Sequence, residues 1–490
     1  MVRFLWIVIL LVSFLADGFG QGVEFNDSIY HLVPKLPDYG DGGKSEASEI
    51  AKYPKIDLRP YCPTPGYQGV ASTCTGWAVG YAAMSISWAI NNNWENKRDS
   101  IDKNVFSALY LYNQITESTD CSKGTEIVKA LDLLVEEGNI RARDFDKKNQ
   151  DCSRKPSEEE IEKAKEFRIR DYTALFDTSA TFRVRIEKTK LCLINKKPVI
   201  IAVWLLNNFL AIRPGNSLWY PQIGDPKPVN KGHAMVVVGY DDGIGAFEVM
   251  NSWGEGWANG GFIWIKYEDY AKHVRYAFEM TLNNESALPP SVLSPPSSPN
   301  FVGSFFIRVP KMTLDGIKFN NVPTIEKDGL YSVNIPTQRD SSRIFQIGIK
   351  GVSKGGYVYA FSYDPRGKIT VHWPRDATLD SKFEGLHESA VITTEKVELI
   401  LPKEDSAFKL LYPEGKEYLC ILFSRYSIKN LNSRLEQIRT MEGAFPSKFS
   451  KAFSADLISK SGIKYYADRF EAFSQKGKIV PVIIEIQVSP

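Results

Sequence analysis

The stretch Tyr67-Gln68-Gly69-Val70-Ala71-Ser72-Thr73-Cys74-Thr75-Gly76-Trp77 decides how the first half of the chain is read. From Trp77 onward, Tyr81, Met84 and Trp88 follow at steps of four, three and four, the spacing of one helix face, so a helix is expected over 74–92. A cysteine at the start of such a helix lies at the positive end of its dipole, among backbone N–H groups with no intrahelical partner, and both favour the thiolate. Gln68 lies six residues earlier, and its side-chain amide can donate to a developing oxyanion.

Two later segments supply partners. In Lys231-Gly232-His233-Ala234 a histidine opens an apolar strand, continued as Met-Val-Val-Val-Gly-Tyr. In Asn251-Ser252-Trp253-Gly254-Glu255-Gly256-Trp257 an asparagine ends another strand, eighteen residues past the histidine. With these in place, residues 56–282 resemble the papain-like cysteine proteases. Glutamine five residues clear of a cysteine, a strand starting His-Ala, and Asn-Ser-Trp-Gly-x-Gly-Trp, in that order, form a specific combination.

The resemblance implies a two-lobed α+β papain-like fold, with a helical lobe and a β-barrel-like lobe, and hydrolysis of peptide bonds through a thioester acyl-enzyme. Carried over by motif, Cys74 is the nucleophile, His233 the general base and acid, and Asn251 the residue that orients the imidazole. Gln68 completes the oxyanion hole with the Cys74 N–H. Trp253 covers the histidine–asparagine hydrogen bond and, with Gly124 of Cys121-Ser-Lys-Gly124-Thr125, borders the substrate cleft; a plain helix-start loop is the other reading of Gly124. The expected resting state is a thiolate–imidazolium pair. Neither a metal nor a cofactor is called for. Cys121 stands where the family has a half-cystine whose usual partner position is Ala71 here, which leaves it for Cys152 in a polar Asp-Cys-Ser loop, with Cys62 as a competing partner. The chain also departs from the family in spacing: Cys74 precedes His233 by 159 residues and Asn251 by 177. The family expectation is about 130–150, so loop insertions are expected. The long inhibitory prosegment is missing.

The rest of the chain frames this unit. Its 490 residues are 43% hydrophobic and 24% charged, the usage of globular protein, and the length suits about three domains. Sixty basic against 58 acidic residues leave a net +2, so no overall field attracts nucleic acid. Residues 1–20, with Arg3 and the uncharged run Phe4–Ala16, read as a signal peptide, implying a secreted, periplasmic or cell-envelope protein with no stable membrane span after its removal. An uncleaved anchor is the alternative. Asn26 and Asn284 begin N-x-S patterns, meaningful only outside bacteria. Residues 21–55 read as a loose N-terminal arm, and 283–300, rich in Pro and Ser, as a linker.

Beyond the linker, residues 301–490 alternate short strand signals and turns, as in a β-rich, sandwich-like accessory domain with one helical stretch near Ile428–Met441. Residues 345–426 resemble a bacterial domain family of unknown function found beside peptidases. Tyr357-Val-Tyr-Ala-Phe-Ser-Tyr363 places an aromatic at every second position, read as a face packed into the sandwich core rather than a glycan or peptide groove. Cys192 and Cys420 read as buried small hydrophobes, and His31, His273, His372 and His387 as structural or surface residues. The expected partners are a peptide or protein substrate and, for the accessory domain, a cell-envelope or protein partner. The rival functions are a cell-surface binding protein that uses the papain-like half as scaffold, and an acyl transferase.

Overall fold

The helix that begins at Cys74 organises the first half. Segments Cys74–Gly76, a wider-turned Trp77–Met84 and Ser85–Asn91 run on without a break as one helix, 74–91, labelled α2 after α1 (Asp27–Leu32). The computed structural model describes residues 22–37, 43–146, 151–222, 224, 232–283, 299–313, 316–336, 343–353, 355–393, 398–403, 406–410, 415–473 and 477–488. Residues 1–20, most of the 283–300 stretch and the Asn284 pattern lie outside these. Along α2 the fully enclosed side chains include Cys74, Val79, Ala83, Met84, Ile86 and Ala89, whereas Trp77, Tyr81 and Trp88 are only half-buried. The aromatic stripe thus lies at the border of the core. Small residues hold its centre because they let α3 (Ala108–Ile115) and α4 (Ile127–Glu136) approach closely.

Eight strands form the sheet beside α2: β1 (Lys55–Asp57), β2 (Ile169–Ala174), β3 (Val199–Trp204), β4 (Leu218–Trp219), β5 (Gly232–Asp241), β6 (Ala246–Met250), β7 (Phe262–Lys266) and β8 (Val274–Leu282). Their order is β2-β8-β3-β5-β6-β7-β4, with β1 on β5, and every pairing is antiparallel except β4 with β7. Central β5 is buried at every residue but its last, as its unbroken apolar run requires. It packs against α2 and against α5 (Phe182–Ile194). Helix α5 escapes the periodicity argument because its buried face carries Lys188 and Lys190 while Phe182 and Val184 are exposed. The lysines are tolerated there because each ends on oxygen: Lys188 Nζ on the Pro37 carbonyl (2.8 Å) and Glu46, and Lys190 Nζ on Asp242 (2.6 Å).

The C-terminal part contains a seven-stranded and a six-stranded sheet among the described residues, facing each other across their own apolar core. The 357–363 alternation resolves differently from the sequence reading. Val358 and Ala360 enter the sandwich core, whereas Tyr357, Tyr359 and Phe361 point to the other side and join the buried cluster continuous with the first half. Helices Leu431–Thr440 and Phe445–Phe453 cover that side, with the Phe445 ring 4.6 Å from Tyr363 and 5.2 Å from Tyr418. Both faces of this strand are buried, so the larger side chains fill the wider gap between sheet and helices.

The N-terminal segment is not loose. Asn26 Oδ1 caps α1 by accepting from the Ile29 N–H at 3.2 Å, and Val23, Tyr30, Val33 and Leu36 are buried. Tyr30 stacks on Tyr276 at 4.1 Å and donates to the Phe176 carbonyl at 2.7 Å. Its polar composition conceals these few apolar anchors, which act only because the body offers them sockets.

Cys121 and Cys152 are bonded, with Cα atoms 5.4 Å apart and a separation of 31 positions in sequence, while Cys62, Cys74, Cys192 and Cys420 are free thiols. Replacing both bonded cysteines by serine should cost about 3–4 kcal/mol, the entropy of closing a loop of that length. Non-reducing peptide mapping checks the pair, and the denaturant midpoint of the double variant checks the cost.

Candidate active site

Cys74 is the first residue of α2, with Thr73 before it in a non-helical conformation. The backbone at Ala234, Gly22, Thr75 and Cys74 itself, the last two at the helix start with its unpaired donors, lies near its sulfur and favours the thiolate. β5 packs against the first turn of α2 and opens with Gly232 and His233, which brings His233 to the end of the helix that carries Cys74.

His233 Nε2 lies 2.7 Å from Asn251 Oδ1. An amide oxygen only accepts, so Nε2 carries the proton and donates. The same Oδ1 accepts from the Ser252 N–H at 2.8 Å, which fixes the amide orientation. Asn251 sits just past the end of β6, the neighbour of β5 in the sheet, and its N–H donates to the Gly261 carbonyl at 3.0 Å. His233 Nδ1 has no hydrogen-bond partner among the described residues. The Trp253 ring lies over the imidazole, centroids 4.8 Å apart and 31° inclined, and is backed by Trp257 at 5.2 Å and Phe209 at 5.8 Å. Trp257 and Phe209 thus belong to the packing that keeps water from the His233–Asn251 bond.

Gln68 is fully buried at the other rim. Its N–H donates to the Ser252 carbonyl (2.9 Å), its Oε1 accepts from Ser252 Oγ (2.5 Å), and its Nε2 donates to the Ala71 carbonyl (2.7 Å). One of the two hydrogens on the amide nitrogen thus holds Ala71. Cys74, His233, Asn251, Trp253 and Gln68, far apart in sequence, converge here.

Gly124 meets a different neighbour from the one expected of a substrate cleft: residue 22 of this chain. A Cβ at Gly124 would lie 2.2 Å from the Gly22 carbonyl oxygen, so only glycine admits the approach. The Thr125 N–H donates to that carbonyl at 2.6 Å, the Glu24 N–H to the Thr125 carbonyl at 3.1 Å, and the Val23 N–H to the Gly232 carbonyl at 3.1 Å. Residues 22–24 therefore bridge the helical lobe and β5 directly over Cys74. Phe25 follows, stacked on Trp204 at 4.2 Å and edge-on to Tyr276 at 5.2 Å, its ring filling the space a Cβ at Gly232 would take. Sequence reasoning missed Phe25, Trp204 and Tyr276. The signal available was the set of apolar residues Val23, Phe25, Tyr30, Val33 and Leu36 inside a polar arm.

This occupancy sets the electrostatics. Cys74 and His233 are both fully buried. Burial pushes the Cys74 thiol up to about 11, against the backbone hydrogen bonds that favour the thiolate. Burial pulls the His233 imidazole down to about 4, against its bond to Asn251. With the arm in place burial opposes the expected thiolate–imidazolium pair, because removing water penalises both charges.

His233 thus has a folded pKa below the unfolded value of about 6.5. Its contribution to stability is complete above about pH 6.5 and is lost as pH falls toward 4. The full effect is up to about 3 kcal/mol. Melting temperature against pH should therefore fall more steeply between pH 6.5 and 4 in the parent than in His233→Gln, which carries no titrating ring.

Comparison with known proteins adds the family. Residues 67–280 match the model of the papain family cysteine proteases. No curated protein matches the chain. Among solved structures it is similar to xylellain, a cysteine protease from Xylella fastidiosa (22% identity, 55% of this chain and 97% of that one, TM-score 0.43). It is also similar to bromelain protease from Ananas comosus (16%, 47% and 100%, 0.37) and to procathepsin B S9 from Trypanosoma congolense (16%, 54% and 87%, 0.40). On the family match, residues 67–280 are a papain-family cysteine protease domain, a hydrolase.

Proposed function

We propose that the protein is an exported cysteine peptidase that hydrolyses peptide bonds through Cys74, His233 and Asn251. The observation that carries this reading is the 2.7 Å bond from His233 Nε2 to Asn251, which leaves Nδ1 as the ring nitrogen available to the thiol of Cys74 at the helix start. Once the cleft is open to water and substrate, Nδ1 takes the thiol proton and Sγ attacks the peptide carbonyl carbon. The oxyanion accepts hydrogen bonds from Gln68 Nε2 and the Cys74 N–H. Nδ1–H passes its proton to the amide nitrogen, the C–N bond breaks, and the amine leaves behind a thioester. Water, giving a proton to Nδ1, then attacks the thioester and releases the carboxylate and the thiol.

The export half of the proposal rests on residues 1–20. No helix among the described residues is long and apolar enough to cross a membrane. We assign the peptidase unit to 56–282 and an accessory role to the β-rich 301–490, since every residue used in the chemistry precedes residue 255.

The test uses the full chain carrying Phe25→Ala, so that the arm does not compete with a fluorogenic peptide. Cys74→Ala should abolish hydrolysis. His233→Ala should lower kcat/KM by about 100- to 10,000-fold, the usual share of general acid–base catalysis, and Asn251→Ala by less, because asparagine only orients the base. Hydrolysis that survives Cys74→Ala refutes the mechanism. Equal losses at 233 and 251 refute the division of roles.

A further inference from the structure

The segment that crosses the cleft is held at both ends, and its far end is held by the C-terminal part. In the cleft, residues 22–24 are hydrogen-bonded to Thr125 and Gly232, and Phe25 is stacked between Trp204 and Tyr276. Next to Phe25 and Asn26, Asp27 accepts from Arg275 Nε at 2.9 Å and from the Tyr276 hydroxyl at 2.6 Å. Helix α1 then leads to Lys35. The Pro34 carbonyl and the Leu36 N–H pair with Ala174 at the end of edge strand β2, at 2.9 and 2.7 Å. Both main-chain groups of Lys35 turn the other way: its N–H donates to the His387 carbonyl at 2.7 Å, and its carbonyl accepts from the Ser389 N–H at 2.8 Å.

One extended residue therefore joins the peptidase sheet to segment 387–389. That segment is itself fastened to the β-rich part. Arg375 grips Glu388 with two hydrogen bonds (2.7 and 2.5 Å), the Ala390 carbonyl accepts from the Val358 N–H at 2.9 Å, and Val391 bridges Tyr357. Tyr357 completes the circuit with its hydroxyl 3.3 Å from Asp171 of β2.

We propose that the C-terminal part is a latch: by holding Lys35 against β2 it keeps residues 22–25 over Cys74, and its displacement frees the strap and opens the cleft. The inference rests on the reading of Cys74 as nucleophile. The strap is a two-state element, in or out, and the latch biases it through the main-chain bonds to Lys35 that exist only when the β-rich part is docked. A ligand or partner of that part that moves 375–391 would thereby switch the peptidase on, which gives the accessory part a task other than substrate capture.

The experiment uses the full chain and two readouts, the rate of Cys74 alkylation by iodoacetamide and the hydrolysis of a fluorogenic peptide. Ser389→Pro deletes the N–H that Lys35 accepts from, and Ser389→Ala retains it. Arg375→Met loosens the same segment without touching the backbone. Phe25→Ala releases the cleft end directly. Cys74 alkylation should rise about tenfold or more in Phe25→Ala and about three- to tenfold in Ser389→Pro and Arg375→Met, the latter the size of one lost backbone hydrogen bond. Ser389→Ala should match the parent. Near-ultraviolet circular dichroism checks that each variant is folded; if Ser389→Pro is not, Arg375→Met decides. A rise in Phe25→Ala alone overturns the latch. No rise in any folded variant overturns both strap and latch. Faster alkylation with no hydrolysis leaves the latch standing and overturns the peptidase reading instead.

Discussion

The structure depends on one meeting of termini: the first turn of the helix at Cys74 against the first residues of the strand at Gly232. A helix start presents unpaired N–H groups, and the strand brings its first side chains against that end of the helix. Bringing the two ends together places the thiol among backbone donors and the imidazole one residue from a backbone contact to the sulfur. The remaining parts serve this junction. α3 and α4 support the helix, β3 and β6 flank the strand, and the Trp253, Trp257 and Phe209 rings seal the His233–Asn251 bond.

The same junction is sensitive to the segment that covers it. A thiolate–imidazolium pair needs either water or the partner charge close by to offset its desolvation. Residues 22–25 cover the buried pair, and burial disfavours the charged form of each group. In this chain a short segment suffices, since its apolar anchors Phe25, Tyr30, Val33 and Leu36 lie at intervals that match sockets on the body and on the junction with the β-rich part.

Burial also separates the two roles of the second half. The sandwich has its own apolar core, yet one face of the strand Tyr357–Tyr363, through Tyr357, Tyr359 and Phe361, belongs to the cluster that continues into the peptidase half. An aromatic face between sheet and helices, partly shared across the junction, couples the halves more tightly than a Pro- and Ser-rich connection would by itself.

The sequence by itself singled out the candidate site residues and the elements that carry them. Gln68, Cys74, His233, Asn251 and Trp253 sit in short motifs whose neighbours encode a helix start, an apolar strand and a turn, so local pattern was enough. The wide-turned centre of α2 was not legible, because small residues in a buried helix blur the amphipathic period. Helix α5 was hidden by buried lysines whose acidic partners are far off in sequence. The arm was read as loose because four or five apolar residues in a polar segment have no value until something receives them. Only the tertiary structure decided that Phe25 enters the cleft between Trp204 and Tyr276, that Gly124 faces residue 22, and that Lys35 ties β2 to segment 387–389. The physical reason is that these contacts join residues tens to hundreds of positions apart through backbone hydrogen bonds and ring packing, which leave no local periodicity for a sequence to display.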